Sequence, residues 1–246
     1  MQYKFRYEDG IKSPPGGAML RGKAAHKGQE MNYLQKLESR EDLPLEAVED
    51  FTSDAFEKEK RGTVFGDDKP GDVKEAALRA ARIYHQEVAP TRQPWWVERQ
   101  IKIVIPRIGI PVMGYIDLVH VGLDPVTRET DNHFALSDTK TKVKKPTGDE
   151  AKKSMQLPFY AIGWEAENGF PLEEVGLDFA VATKTPYIAE RQVLEITPFV
   201  KERWIDTVAG VLKAIEAGAY YPSTDGWHCS PKWCGYWKLC EGKGRA

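Results

Sequence analysis

Asp117, Asp138 and Lys140 are the residues of this chain whose types and spacing best suit chemistry. Asp117 closes the run G-Y-I-D, Asp138 and Lys140 stand in S-D-T-K, and Gln156 and Tyr160 follow in Q-L-P-F-Y. Hard divalent cations such as Mg²⁺ prefer oxygen ligands, so two carboxylates on neighbouring strands can share one. A lysine two residues after the second acid points to the same face of a strand. Its ammonium can there orient an attacking water or offset charge on a phosphate in flight. The pattern points to metal-dependent phosphodiester cleavage.

An isolated strand-end aspartate usually caps a turn. Asp117, however, interrupts an apolar strand (M-G-Y-I-D-L-V), and a carboxylate among apolar neighbours needs a partner. Asp138 repeats the anomaly on the next strand, and clustered acids of this kind commonly mark a site. His26 is a third candidate ligand, with Gly22 one helical turn before it and Glu30 one turn after. Neutral imidazole ligates metals, and Mn²⁺ accepts mixed nitrogen and oxygen donors. A lone helical histidine can equally be a satisfied polar residue. Gln156 and Tyr160, four apart, share a helix face. They could meet a water and a phosphate, or be a polar residue over an aromatic core residue.

These residues need elements to carry them. The spacing of Met19, Ala24, Met31 and Leu34 predicts a helix from Ala18 to about Arg40, after the turn Ser13-Pro-Pro-Gly-Gly17. A second helix is expected over 44–60 and a third from Asp72 to about Val88. Texture then changes. Trp96 to Ile105 alternates and is rich in β-branched residues, Val112 to Val121 reads as its returning strand, and Phe134 to Thr141 as the third. A helix holding Gln156 to Trp164 should end at Asn168-Gly169, and Pro158 suggests a kink or a start near Ser154. Strands at about 175–183 and 191–197, turning around Thr185-Pro-Tyr187, precede a last helix from Thr197-Pro198 to about Ala217. Strand–helix–strand order implies a mixed sheet covered on both faces. The chain divides into an N-terminal helical region (1–94) carrying His26, a core (95–217), and a Cys/Trp-rich tail (218–246) packing on the same domain.

Composition narrows the function class. A formal charge of −2 argues against coating nucleic acid by bulk electrostatics, but permits a local basic track. Residues 138–153 hold six lysines, among them Lys142, Lys144 and Lys145. Such a run is either a solvated loop or, placed after the metal-binding strand, a phosphate contact. No apolar run is long enough to span a bilayer and the first residues lack a signal-peptide core, so a cytoplasmic protein is expected.

Gly22-x-x-x-His26, G-Y-I-D at Asp117, D-T-K at Asp138 to Lys140 and Gln156-x-x-x-Tyr160 together resemble the RecB-like branch of the PD-(D/E)XK nuclease superfamily. CRISPR-associated RecB-like exonucleases and the RecB and AddB nuclease domains belong to that branch. The resemblance covers about residues 18 to 240. It implies an α/β fold with a restriction-endonuclease-like core, a mixed central sheet flanked by helices. By analogy, His26, Asp117, Asp138 and the Thr139 backbone carbonyl would ligate Mg²⁺ or Mn²⁺, with Glu30 a lesser helper. Lys140 would activate the water, and Gln156 and Tyr160 would lie near the scissile phosphate. The implied activity is a DNA exonuclease acting on ends or single strands. Its alternatives are a silent DNA-binding module or a subunit that cleaves only with a helicase or recombination partner. Phage replication, repair and CRISPR adaptation all remain open as settings.

Cys229, Cys234 and Cys240 are the only cysteines. An odd count without a secretion signal argues against a disulfide framework. Several RecB-like nucleases hold a [4Fe-4S] cluster with three C-terminal cysteines and one ahead of the histidine helix, and this tail resembles theirs. No cysteine precedes His26, so four-cysteine ligation is impossible within this sequence. Zinc held by the three with His228 is conceivable. Reduced thiols packed among Trp227, Trp233 and Trp237 are the plainer expectation.

Overall fold

Pro44 and Pro70 stand at helix starts, where a missing amide hydrogen costs nothing, and Gly16 precedes another. The computed structural model describes residues 1–222, 226, 229–231 and 233–240. Three helices come first: α1 (Gly17–Ser39), α2 (Leu45–Lys60) and α3 (Pro70–Glu87). Helices α1 and α2 touch at Gly28, where a Cβ would come within 2.9 Å of the Val48 carbonyl. Lys36 of α1 is fully buried, yet its ammonium pairs with Asp42 at 2.6 Å and donates to the Ala89 carbonyl at 2.7 Å. Burial of that charge is tolerable only because it is so matched.

Strands β1 (Arg92–Val104), β2 (Pro111–Gly122), β3 (Ala135–Lys142), β4 (Glu174–Val181) and β5 (Tyr187–Val193) lie in one sheet in sequence order. All neighbours are antiparallel except β3 and β4. That parallel pair needs a crossover, supplied by α4 (Glu150–Lys153) and α5 (Gln156–Asn168). Helix α6 (Pro198–Glu216) follows β5, its first turn capped by Thr197, whose hydroxyl accepts from the Val200 amide. One face of the sheet packs Ile101, Ile116, Leu136 and Phe179 with Trp164 of α5 and Trp204 of α6. The other packs Leu118 and Ala180 with Tyr33 of α1 and Ala80 and Tyr84 of α3. A mixed sheet covered on both faces is thus the architecture.

Three boundaries differ from expectation. Strand β1 starts at Arg92, inside the stretch assigned to the helical region, because it pairs back as far as Gly122. Strand β5 occupies 187–193 rather than 191–197; Pro186 ends the turn, and Ala189, not a bulky residue, takes the buried position. A short helix, α4, stands in the expected lysine-rich loop. Among the described residues of the tail, the buried anchor is Tyr236. Its ring stacks on Phe5 at 5.5 Å and its hydroxyl donates to the Ile11 carbonyl, while Trp233 is exposed and Trp237 half-buried. Trp227 lies outside the described residues.

Candidate active site

Strands β2 and β3 pair only over Leu118–His120 and Ala135–Ser137, and then part. Asp117 and Asp138 are the next residues on each strand beyond the last rung, Leu118 opposite Ser137. Both carboxylates therefore stand at the mouth of a fork in the sheet, a place that ladder hydrogen bonds cannot fill. Helix α1 crosses above it and brings in His26. The imidazole Nδ1 is 3.4 Å from Asp117 Oδ2, and Nε2 is 2.5 Å from the Thr139 carbonyl oxygen. Lys140 Nζ lies 2.6 Å from Asp138 Oδ2 and donates to Gln156 Oε1 at 3.0 Å. Gln156 Nε2 in turn donates to the Tyr160 hydroxyl at 3.2 Å. Helix α5 begins at Gln156, with Ser154 Oγ accepting from the Gln156 and Leu157 amides, so Pro158 falls in its first turn and needs no kink.

One carboxylate was not anticipated. Glu98 of β1 points into the fork, and single ligand atoms of His26, Glu98 and Asp117 lie within 4.8 Å of one another. Its backbone has φ of 46°, a left-handed conformation costly for a non-glycine residue. The sequence held a trace of this: Glu98-Arg99-Gln100 puts three polar residues in succession where alternation allows one.

The electrostatics follow from crowding acids out of water. Burial, then the Asp138 carboxylate, pushes the Asp117 carboxyl up to about 9. Burial, then Glu30, raises Glu98 to about 7. Burial also lowers the His26 pKa, favouring the neutral, ligating imidazole. Burial and the charge of Asp117 raise the Tyr160 hydroxyl, which stays protonated as a donor. Asp117 Oδ2 is buried and makes no hydrogen bond within the described residues. An orphaned carboxylate oxygen, a second repelled carboxylate and a neutral imidazole suit a divalent cation, whose charge would hold the acids ionised. Oxygen-rich donors with one nitrogen match Mg²⁺ or Mn²⁺.

Other anticipated residues fall at graded distances from the fork. Glu30 lines the same cleft, of about 770 Å³, but its carboxylate is paired with Lys27 at 2.7 Å. Lys142 also lines it, paired with Glu150 at 2.7 Å. Lys144 and Lys145 are exposed on the following loop, outside the cleft lining. Cys229, Cys234 and Cys240 line a separate cavity of about 260 Å³ with Met1, Tyr3 and Phe5. Among the described residues, the fork is the one place where three or more His, Cys, Asp or Glu ligand atoms come so close. His228, suggested as a zinc ligand, lies outside the described residues.

Behind the fork sits a polar network with no counterpart in the sequence reading. Arg92 grips Asp178 through two nitrogens at 2.5 and 3.1 Å, and Arg191 reaches the same carboxylate at 2.6 Å. Both guanidinium groups donate to Ser137 Oγ, and Arg92 also to the Tyr84 hydroxyl. Asp178 is level with Thr139 in the β3–β4 register, on the strand beside the one that carries Asp138 and Lys140.

Residues 1–241 match the PD-(D/E)XK nuclease superfamily, and the chain belongs to it. No curated protein matches it in sequence. Among solved structures it is similar to a candidate exonuclease from Eubacterium rectale, at 14% identity and a TM-score of 0.50, covering 94% of this chain and 79% of that one. The structure of SSO0001 aligns at 14% identity and a TM-score of 0.39, covering 98% of this chain and 94% of the other. The first likeness supports the fold. Among the described residues, no helix is long and apolar enough to cross a membrane.

Proposed function

We propose that this protein is a divalent-metal-dependent deoxyribonuclease that hydrolyses DNA phosphodiester bonds, acting as an exonuclease on DNA ends or single strands. The observation that carries this is the convergence of His26, Glu98 and Asp117 at a fork whose other branch presents Asp138 and Lys140. Mg²⁺ or Mn²⁺ bound there would polarise a phosphoryl oxygen and lower the pKa of a bound water. The protein's own part is positioning and charge. His26, Asp117, Asp138 and the Thr139 carbonyl, now joined by Glu98, would hold the ion. Lys140, set by Gln156 and Asp138, faces the reacting phosphate as a fixed cation. Gln156 and Tyr160 offer neutral donors beside it, worth most where water is excluded. Superfamily membership and the fold of the E. rectale neighbour support this function.

End-labelled linear DNA and circular DNA, incubated with purified protein and Mg²⁺ or Mn²⁺, test it. Linear DNA should be degraded, circular duplex spared, and EDTA should stop the reaction. Asp117→Asn and Lys140→Met should each lower the rate by about 10³-fold or more, the scale of losing a principal electrostatic catalyst. Glu98→Gln should raise the cation concentration needed for half-maximal rate. Folded wild-type protein that binds linear DNA without cutting it, at any Mn²⁺ concentration, would sink the catalytic assignment.

A further inference from the structure

Beyond the fork, residues 98–104 of β1 and 111–117 of β2 continue as a two-stranded arm, since β3 no longer pairs with β2. Its two faces differ sharply. On one, Ile101, Ile103 and Ile116 are buried, and Phe159 of α5 packs against bare Gly114, where a Cβ would come within 2.6 Å of the ring. The other face is open. Tyr115 and Met113 are 54% and 59% exposed, and Gln100, Lys102 and Val104 are exposed beside them. Strand alternation puts Met113 and Tyr115 on the same face as Asp117. The register sets Gln100 opposite Tyr115 and Lys102 opposite Met113. The row therefore begins at the Asp117 and Glu98 carboxylates and runs outward, Tyr115 standing about 7 Å along the strand from Asp117.

Single exposed apolar side chains need no explanation, but a row of them ending at a cleavage site does. A phenol ring, a polarisable thioether, an amide and an ammonium match the parts of an unpaired nucleotide: a flat base to stack, edges to hydrogen-bond, and a phosphate. Lys102 is exposed and has no ion-pair or hydrogen-bond partner among the described residues, so its charge is available. A base inside a duplex already has both faces covered and could not use this ring. We propose, building on the nuclease function above, that this open row seats the unpaired nucleotides adjoining the scissile phosphate. Tyr115 stacks on a base, Met113 extends the platform, and Lys102 meets a backbone phosphate. The substrate is thereby a single strand or an end frayed into one.

Fluorescence anisotropy of a labelled short oligothymidine, with Ca²⁺ in place of Mg²⁺, tests this alongside steady-state cleavage. Tyr115→Ala should weaken single-strand binding about ten-fold, the range of one lost stacking partner, and Lys102→Ala should flatten its salt dependence. The cleavage defect should fall on KM, with kcat nearly kept, and Tyr115→Phe should restore both. Phe199→Ala, on α6 and also exposed, should change neither. If wild-type protein cleaves DNA and Tyr115→Ala binds and cleaves single strands equally well, the row is not the seat and the nuclease function stands. If Tyr115→Ala instead alters only the protein's sedimentation mass, the face belongs to a protein contact and the inference is overturned. If wild-type protein neither binds nor cuts DNA, the nuclease function falls with it.

Discussion

Asp117 and Asp178 are carboxylates set into one sheet, and their surroundings drive them in opposite directions. Asp178 is buried, which alone would raise its pKa, but Arg92 and Arg191 outweigh that and hold it well below the usual carboxylate range. At Asp117, burial and the neighbouring Asp138 carboxylate outweigh the Lys140 ammonium, and the carboxyl rises to about 9. The difference separates architecture from chemistry. Where the chain supplies both charges, it has finished the interaction and gains a rigid strand pair. Where its negative oxygens outnumber its cations, it has left a place for something else. The two regions lie on either side of β3, which pairs with β2 at one edge and with β4 at the other.

The comparison can be broken first on the completed side. Asp178→Ala leaves two guanidinium groups buried without their acceptor and should cost about 3–5 kcal/mol of stability, read from the urea midpoint. A loss no larger than that of a surface substitution would show the network to be incidental.

On the incomplete side the sign reverses. Unfolded Asp117 titrates near pH 4, whereas in the cation-free fold it does so near 9. Between those values the folded state keeps a proton that the unfolded state has lost, so stability without metal falls as pH rises across that window. Asp117→Asn removes the penalty. In EDTA at mildly alkaline pH it should melt higher than wild type, by roughly 2–4 °C for each kcal/mol relieved. Saturating Mn²⁺ should then raise wild type more than the variant. A variant that melts lower in EDTA would contradict the assignment of Asp117 as an uncompensated charge.

The smallest effect sharpens the contrast by pH. Asp178, with its folded pKa depressed, contributes stability that is present above about pH 4 and is lost as pH falls through and below that value. The stability gap between wild type and Asp178→Asn should therefore narrow on acidification below about pH 4. A gap constant from neutrality to acid, in urea titrations at stepped pH, would count against the ion pairs.

Asp117, Asp138 and Lys140 stood out in the sequence because each breaks a local rule, whereas His26, Gln156 and Tyr160 were open on spacing alone and became candidates through the resemblance of the four motifs together. The helices were legible too, since proline starts and apolar spacing are written in consecutive residues. Glu98 was not, although it faces the same fork. A glutamate on a strand ordinarily faces water, and only a residue forced to φ of 46° turns this one inward. Ser137, Asp178, Arg92 and Arg191 were equally silent, lying as far apart as 92 and 191 in the chain, with nothing local to join them.

Taken alone, the sequence determined which side chains could bind a cation and which periods would bury their neighbours, because both depend on residue type and short-range spacing. Where β2 leaves β3, which side of the arm stays open, and which aspartate is neutralised by arginine were decided only in three dimensions. Strand register and charge pairing depend on distances between segments that a linear chain does not encode in any one window.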